Sequence, residues 1–204
     1  GSFDGNGKMK KFYDVIIIGG GAAGMMAAIT AAGNKKKVLV IEHKERLGKK
    51  ILATGNGRCN LTNYKMDSSC YGRENAGFAM NVIKKFDEKA VCDFFVGMGM
   101  LLHDRNGYVY PNSDQASVVS EMLQQKMLAC NVTVITETTV SKILREDKFI
   151  IKTNNGVYEL KTSGIYNVYS ILNYLYKDSA IYLQRKYDRY LDFITQSERE
   201  CNDE

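Results

Sequence analysis

Three glycines at fixed spacing, followed by a carboxylate, are the residues of this chain best suited to bind a dinucleotide. Gly19, Gly21 and Gly24 follow the apolar run Tyr13–Ile18, and Glu42 ends the next apolar run. In this pattern the first glycine permits a tight turn, the second lets the backbone approach a pyrophosphate, and the third lets a helix pack on a sheet. A carboxylate at Glu42 would accept the ribose hydroxyls of an adenosine and repel a 2′-phosphate, which favours FAD or NAD over NADP. The alternative is a glycine-rich turn without a ligand.

Two other side chains have reactive groups. Cys59 would be a redox thiol beside a cofactor if Arg58 lowered its pKa, but a small residue packed against the cofactor is the favoured interpretation. His103 is interpreted as a packed or solvated histidine in preference to a general acid. The five cysteines contain no C-x-x-C pair, and no combination with the two histidines, His43 and His103, has the spacing of metal ligands. We therefore expect no metal site, reduced thiols and a cytoplasmic location, and we assign no catalytic residue.

Basic residues dominate residues 35–50, with seven lysines and arginines against Glu42 and Glu45. Such a segment would grip nucleic acid, and RNA binding is kept as an alternative. The favoured interpretation is a solvated surface that also supplies phosphate contacts to a cofactor. The chain's net charge of +5 permits an anionic partner without requiring one.

The elements that position these residues follow from hydrophobic periodicity. Tyr13–Ile18, an Ala/Met-rich helix over Ala22–Ala32 and the strand Lys37–Glu42 form a βαβ unit, whose strands should be parallel. A long loop over residues 43–74 precedes all the later elements. These are helices over Asn75–Phe86 and Asp87–Met98, a hairpin of Leu101–His103 and Tyr108–Tyr110 around an Asn-Gly turn, a helix from an N-cap at Ser113 to about Cys130, the strand Val132–Thr136, and a meander of Val140–Leu144, Phe149–Thr153 and Val157–Leu160.

The expected domain organisation has three parts. Residues 1–8 are interpreted as a tag remnant or leader, residues 9–162 as the nucleotide-binding domain, and residues 163–204 as a helical tail that contains seven of the 13 tyrosines. A helix burying these tyrosines against a second subunit would make a homo-oligomer. The 45% of hydrophobic residues contain no uninterrupted run of the roughly 18–20 residues that a spanning helix needs, so no membrane association is expected.

The run T-G-N-G-R-C-N-L-T-N over residues 54–63 gives the chain a more specific likeness. Together with the Gly19–Gly24 turn, Glu42, G-K-K at 48–50, Y-G-R-E-N-A-G-F at 71–78 and G-Y-V-Y-P-N-S-D-Q-A-S-V-V at 107–119, it resembles the NAD(P)/FAD-dependent oxidoreductases of the BaiN, YhiN and aminoacetone-oxidase-like type. The resemblance covers about residues 11–161.

The resemblance implies FAD bound in extended form, with NAD(P)H as the electron donor. Pyrophosphate contacts would come from the glycine turn, and Glu42 would hold the adenosine ribose. The backbone of Val140 would touch the adenine, and the Gly57–Asn60 turn would approach the ribityl chain and flavin. The full set of residues expected at the cofactor is Gly19, Gly21, Ala22, Ala23, Gly24, Glu42, His43, Lys44, Gly48, Lys49, Lys50, Gly57, Arg58, Cys59, Asn60 and Val140.

The resemblance ends near Lys161. Relatives of this type continue with an Ala-Thr-Gly-Gly strand, a substrate domain and a segment that covers the flavin, whereas this chain reads K-T-S-G-I-Y-N-V-Y-S at 161–170. The expected fold is α/β: a three-layer, FAD/NAD(P)-binding Rossmann-like domain with an antiparallel meander and a helical C-terminal tail. The expected function is a flavin oxidoreductase that passes hydride to an unsaturated or carbonyl small molecule, or to oxygen. The alternatives are a non-catalytic nucleotide-binding module and an RNA-associated flavoprotein.

Overall fold

A computed structural model describes residues 11–71, 76–145 and 149–160, and within these ranges the chain forms ten strands and four α-helices. The strands are β1 (Lys11–Tyr13), β2 (Val15–Ile18), β3 (Val38–Ile41), β4 (Thr62–Asn63), β5 (Leu102–Arg105), β6 (Tyr108–Pro111), β7 (Thr133–Ile135), β8 (Val140–Arg145), β9 (Phe149–Thr153) and β10 (Gly156–Leu160). The helices are α1 (Ala22–Gly33), α2 (Ala76–Ile83), α3 (Glu88–Gly97) and α4 (Ala116–Ala129).

A parallel sheet in the order β2-β3-β7 carries the βαβ unit. Its middle strand, β3, is buried along its whole length, as expected of a strand with neighbours on both sides and layers on both faces. Helix α1 connects β2 to β3 and ends at Gly33, with Asn34 as its C-cap. The predicted βαβ unit is therefore confirmed, including the parallel pairing.

The prediction of one strand over Tyr13–Ile18 was wrong, because Asp14 divides the run into two strands in different sheets. The Asp14 carboxylate accepts the N–H of Lys37 at 2.7 Å, which fixes a bend. Before the bend, β1 pairs in parallel with β10, whereas after it β2 pairs with β3. Local periodicity does not reveal that the run is divided, because both strands are apolar. Only the pairing of β1 with the distant β10 distinguishes β1 from β2.

The antiparallel meander is confirmed. Strands β8, β9 and β10 pair in sequence order, and β1 joins the edge at β10 to give the order β1-β10-β9-β8. Its apolar residues pack on one face of the parallel sheet, where Phe149, Ile151 and Leu160 meet Leu39 and Ile41. The other face carries α1 and α4, whose core side chains include Met25, Leu123 and Met127. Meander, parallel sheet and helices thus form the three expected layers.

A third, small sheet has the order β4-β6-β5. Its hairpin turns at Asn106 and Gly107, which have φ of +56° and +93° and confirm the predicted Asn-Gly turn. The helix that follows begins later than predicted: Gln115 is the N-cap of α4, and the expectation for Ser113 was wrong. Asp114 has φ of +52°, and its N–H donates to the Pro111 carbonyl at 2.9 Å, so Ser113 lies in a turn that ends before the helix begins.

The remaining elements differ from the sequence predictions mainly at their boundaries. Asp87 caps α3 by accepting the Ala90 N–H at 2.8 Å. The loop predicted over residues 43–74 contains short 3-10 turns at Ile51–Gly57 and Ser68–Cys70 as well as β4. The helical tail predicted over residues 163–204 and the leader at residues 1–8 lie outside the described residues. Every helix within the described ranges is too short or too polar for a membrane span.

Candidate dinucleotide site

Each glycine of the turn between β2 and α1 meets a different steric demand. Gly19 has φ of +104°, and its N–H donates to the Ile41 carbonyl at 2.7 Å. A Cβ on Gly24 would lie 2.0 Å from the backbone oxygen of Gly19, so α1 packs against the turn only with glycine there. A Cβ on Gly21 would meet nothing within 4 Å. Open space at Gly21 beside a closely packed Gly24 is what a pyrophosphate cradle requires.

Helix α1 begins at this open space, with Gly21 as its N-cap and no acidic residue in its first turn. The first N–H groups of a helix point out of its end, and its dipole places partial positive charge there. Ala22 is exposed and Ala23 half-buried. A phosphate group bound at this end would face backbone N–H groups without a competing carboxylate in the first turn.

Glu42 is a buried carboxylate held by the glycine turn itself. Its side chain is 10% exposed, and its Oε2 accepts the Gly20 N–H at 2.7 Å. Its Oε1 accepts the Lys44 N–H at 2.9 Å and lies 2.8 Å from His43 Nδ1. An ionised carboxylate offers about four lone-pair sites, so these three partners leave room for a ribose hydroxyl. The predicted ribose ligand is thus fixed beside the predicted phosphate cradle.

Downstream loops hold the backbone around Glu42 in place. The Glu42 N–H donates to the Ile135 carbonyl at 2.9 Å, and the Glu42 carbonyl accepts the Thr138 N–H at 3.0 Å. The amide Nδ2 of Asn155, in the β9–β10 turn, donates to the Thr138 hydroxyl at 2.7 Å. Val140 begins β8 just after this segment. The meander thereby reaches the backbone around Glu42, and the contact of the Val140 backbone with adenine stays a prediction.

Gly48 joins the next loop to the glycine turn. Its N–H donates to the Gly20 carbonyl at 2.8 Å, and its φ of +68° and the nearby Ser120 hydroxyl leave no space for a side chain. Lys49 is exposed and pairs with Glu45 at 3.1 Å, and Lys50 is also exposed. Of the three residues predicted from the G-K-K motif, Gly48 therefore contacts the glycine turn, whereas the role of the two exposed lysines stays a prediction.

The Gly57–Asn60 turn is anchored on the small sheet. Gly55, Asn56 and Gly57 have φ of +54°, +57° and +81°, an uncommon run of left-handed residues. Asn60 fastens the turn, since its Nδ2 donates to the carbonyls of Thr62 at 2.9 Å and Val109 at 3.0 Å. This conformation explains why the segment needs both glycines and an asparagine.

Cys59 is a packed thiol. It is 8% exposed, and burial raises the pKa of its thiol, an effect that a hydrogen bond with Thr54 partly opposes. A thiol with a raised pKa is protonated at neutral pH and is a poor nucleophile. The geometry therefore supports the packed-residue interpretation over the redox one. Within the described ranges no three His, Cys, Asp or Glu side chains cluster as a metal site would need.

His103 is neither simply packed nor solvated. Its Nε2 lies 2.9 Å from Asp114 Oδ1, and its ring stacks on Tyr110 with centroids 5.8 Å apart. The hydrogen bond from His103 lowers the pKa of the Asp114 carboxyl, and the charges of Arg58 and Arg105 add to the effect. Sequence spacing gave no sign of this pair, because Asp114 reaches His103 only through the turn before α4.

The basic segment does not form one patch. Lys35, Lys36 and Lys37 precede β3, whereas the other four basic residues follow it, and β3 separates them by about 13 Å at ~3.3 Å per residue. Lys37 lies over the Tyr13 ring at 4.9 Å, and Glu45 pairs with Lys49 and Arg46. The placement of residues 35–50 therefore does not support a single nucleic-acid-binding surface.

Comparisons with known proteins agree with this geometry. The family described as the HI0933-like protein Rossmann domain matches residues 13–165. A 3-dehydro-bile acid delta(4,6)-reductase of Clostridium scindens is 46% identical over 116 residues, covering 56% of this chain and 28% of the reductase. A ribosomal RNA dihydrouridine synthase of Escherichia coli is 30% identical over 121 residues, covering 59% of this chain and 30% of the synthase. The chain thus spans less than a third of either relative.

Among solved structures, a 3-ketosteroid-delta4-(5alpha)-dehydrogenase of Rhodococcus jostii has a TM-score of 0.53 at 16% identity, over 79% of this chain and 45% of that one. A flavocytochrome c3 fumarate reductase has a TM-score of 0.52 at 12% identity, over 74% of this chain and 32% of that one. At these identities the likeness shows a shared fold.

Proposed function

Because the chain belongs to the HI0933-like protein Rossmann domain family, an FAD-binding oxidoreductase family, we propose that it supplies the FAD-binding part of a reductase. The proposed substrate carries a carbon–carbon double bond conjugated to a carbonyl group. The observation that supports FAD binding is the combined geometry of the open space at Gly21, the buried Glu42 and the start of α1.

The residues present fit FAD. Glu42 would accept a ribose hydroxyl, the start of α1 would face the pyrophosphate, and Val140 would lie at the adenine. Gly48, Lys49 and Lys50 would border the phosphates, and the Gly57–Asn60 turn would approach the ribityl chain and flavin. Lysines add favourable charge to a phosphate site even when they face solvent. The chemistry that FAD supplies when bound is hydride transfer, and the residues of this chain bind and orient it.

The two curated relatives support the proposed type of substrate. The name of the reductase describes the 4,6 double bonds of a bile acid with an oxidised 3-position, and a 3-oxo group is conjugated with them. The name of the synthase describes dihydrouridine, the product of saturating the uracil double bond next to a carbonyl. Both are reductions of an alkene conjugated to a carbonyl, so this bond is the feature we carry over. The small-molecule substrate, NAD(P)H as donor and the domain limits 9–162 and 163–204 belong to the same proposal.

The visible spectrum of the purified chain tests the proposal. Oxidised flavin should be bound, should bleach on anaerobic addition of NADH or NADPH, and should regain its colour when an enone such as a 4-en-3-one steroid is added. Reoxidation only by air would exclude the enone and favour oxygen as the acceptor. A colourless protein that binds ADP but not FAD would instead support the non-catalytic nucleotide-binding module.

A further inference from the structure

The loop over residues 136–139, between β7 and β8, contains a strained residue and a buried hydroxyl. Glu137 has φ of +48°, a conformation that is unfavourable for a residue with a side chain. Thr138 is 2% exposed, and its hydroxyl donates to the Thr136 carbonyl at 2.8 Å. A left-handed residue and a buried hydroxyl in one short loop both need partners from outside that loop to stay in place.

Two asparagines in the turn between β9 and β10 supply these partners, and we call Asn154 and Asn155 the asparagine turn. The Asn155 amide Nδ2 donates to the Thr138 hydroxyl at 2.7 Å and to the Glu137 carbonyl at 3.4 Å. The Asn154 Nδ2 donates to the same carbonyl at 3.3 Å, and its Oδ1 accepts the Thr139 N–H at 2.8 Å. Side-chain hydrogen bonds from the meander therefore hold the 136–139 loop in its strained conformation.

The 136–139 loop in turn holds the backbone that carries the predicted ribose ligand. The Glu137 N–H donates to the Lys44 carbonyl at 2.9 Å, and the Thr138 N–H donates to the Glu42 carbonyl at 3.0 Å. The Lys44 N–H donates to Glu42 Oε1 at 2.9 Å. The position of the Glu42 carboxylate thus depends on the asparagine turn through the 136–139 loop.

The contacts of the asparagine turn distinguish it from an ordinary hairpin turn. In an ordinary turn, the asparagine side chain bonds to its own backbone two residues further on. Here both amides donate to Glu137, and the Asn154 Oδ1 accepts from Thr139, outside the turn. Both asparagines are exposed, whereas the core of the meander consists of buried apolar residues such as Ile151. The two side chains therefore serve the 136–139 loop more than the folding of the hairpin.

We propose that Asn154 and Asn155 are positioning residues for a bound adenosine. Through the 136–139 loop they fix the Glu42 carboxylate where the ribose hydroxyls need an acceptor. A carboxylate fixed in advance loses little conformational freedom when the nucleotide binds, which raises the affinity. The ribose contact rests on the proposed function, whereas the contacts between the turn and the loop do not.

Calorimetric titration of the full chain with ADP tests the proposal, because ADP reports the adenosine half alone. Asn155→Ala removes two hydrogen bonds to the loop, and ADP and FAD should both bind roughly two- to tenfold more weakly, the factor that one neutral hydrogen bond is worth. Titrations well below the melting temperature keep every variant folded, so a loss of global stability alone would not change the affinity. Ser141→Ala is the matched control, since it removes an exposed hydrogen bond to the Lys152 carbonyl elsewhere in the meander.

Substitutions of Thr138 test the same contact from the other side. Thr138→Val keeps the shape of the side chain but removes the hydroxyl, and it should weaken ADP binding as Asn155→Ala does. Because both variants remove the same hydrogen bond, combining them should add little to either loss. Thr138→Ser keeps the hydroxyl and should restore most of the affinity, which a requirement for side-chain volume alone would not do.

Amide hydrogen exchange of the ligand-free chain gives a readout that needs no nucleotide. In Asn155→Ala the amides of Glu137, Thr138 and Lys44 should exchange faster, since the loop that orders them is released. Unchanged ADP affinity, an equal loss in Ser141→Ala, or exchange as slow as in the parent chain would each overturn the proposal.

The ADP titration also separates this proposal from the proposed reductase function. Absence of flavin reduction, with an ADP affinity that still depends on Asn155, would reject the reductase and leave the positioning role intact. A chain that binds no ADP would reject the proposed cofactor site and, with it, the positioning role.

Discussion

At the scale of one residue, a substitution at Gly21 should change cofactor binding without changing the stability of the fold. Its backbone is extended with φ of −78°, and a Cβ there meets no protein atom within 4 Å. Gly21→Ala should therefore leave the melting temperature of the FAD-free protein unchanged. The added methyl enters the space assigned to the pyrophosphate, and overpacking of about 1–3 kcal/mol would weaken FAD binding roughly five- to 150-fold. Unchanged FAD affinity in a fluorescence titration would show that the pyrophosphate lies elsewhere.

Glu42 should contribute strongly to the affinity for the adenosine half of FAD. Glu42→Ala removes the ribose acceptor and leaves the Gly20 and Lys44 N–H groups without their partner. Since a hydrogen bond to a charged group contributes about 1.5–3 kcal/mol, FAD and ADP should both bind roughly ten- to 150-fold more weakly. Riboflavin, which lacks adenosine, would not share this loss. Glu45→Ala, an exposed carboxylate of the same loop, is the control, and a similar loss there would contradict the role of Glu42.

Cys59 should resist alkylation. Burial raises the pKa of its thiol, so the reactive thiolate is scarce at neutral pH and becomes common only as pH rises above the ordinary value for cysteine. At pH 7.5, iodoacetamide should modify the exposed Cys70 well before Cys59, as peptide mass spectrometry would show. Bound FAD should not reverse the order. Faster labelling of Cys59 would return the redox interpretation to consideration.

The sequence identified the site residues whose roles are local and missed those whose roles depend on contacts across the fold. The G-x-G-x-x-G pattern predicted Gly19, Gly21 and Gly24, but not Gly20, where a Cβ would lie 2.1 Å from Leu47. That contact arises from the loop after β3 folding back, and no spacing rule describes it. The His103–Asp114 pair was missed for the same reason.

At the scale of elements, the contact of α1 with the preceding turn depends on Gly24. A Cβ would lie 2.0 Å from the Gly19 carbonyl oxygen and 3.1 Å from the Gly19 carbonyl carbon, and these backbone atoms cannot move aside as a flexible side chain would. Gly24→Ala should destabilise the FAD-free protein by about 1–3 kcal/mol. Gly33→Ala, at the other end of α1, meets nothing within 4 Å and should be neutral or stabilise by up to about 1 kcal/mol. Urea unfolding monitored by circular dichroism measures both, and equal effects would contradict this packing.

Elements with strong local signals were predictable, whereas elements defined by distant partners were not. The Asn106-Gly107 turn carries its own conformational preference, and the hairpin was predicted correctly. Helix α4 was predicted to begin two residues early, because Ser113 is a good N-cap by residue type but lies in the turn that precedes the helix. Strand β1 was merged with β2, since only its pairing with β10 reveals it.

At the scale of the whole molecule, two features tie the parallel sheet and the meander into one unit. The parallel pairing of β1 with β10 joins residues 11–13 to residues 158–160. The apolar layer between the sheets takes Ile16 and Leu39 from the parallel sheet and Ile151 and Tyr158 from the meander. The order of the layers followed from the alternation of a βαβ unit and a meander, but the closure by β1 did not, because β1 is only three residues long.

The pairing of β1 with β10 predicts one cooperative unfolding transition for the FAD-binding domain. Neither the parallel sheet nor the meander can lose its partner without exposing the shared apolar layer, so both should melt together. The proposed FAD site lies at the ends of β2 and β3, and a hundredfold excess of FAD over its Kd should stabilise the fold by about 2.7 kcal/mol. For a domain of this size, that is a rise in Tm of roughly 5–10 °C.

Far-ultraviolet circular dichroism and release of flavin fluorescence should give the same midpoint. In Tyr13→Ala, which removes a buried ring next to Tyr158, both midpoints should fall together. Two separate transitions, with flavin released before the β-sheet signal is lost, would show that the parallel sheet and the meander unfold independently.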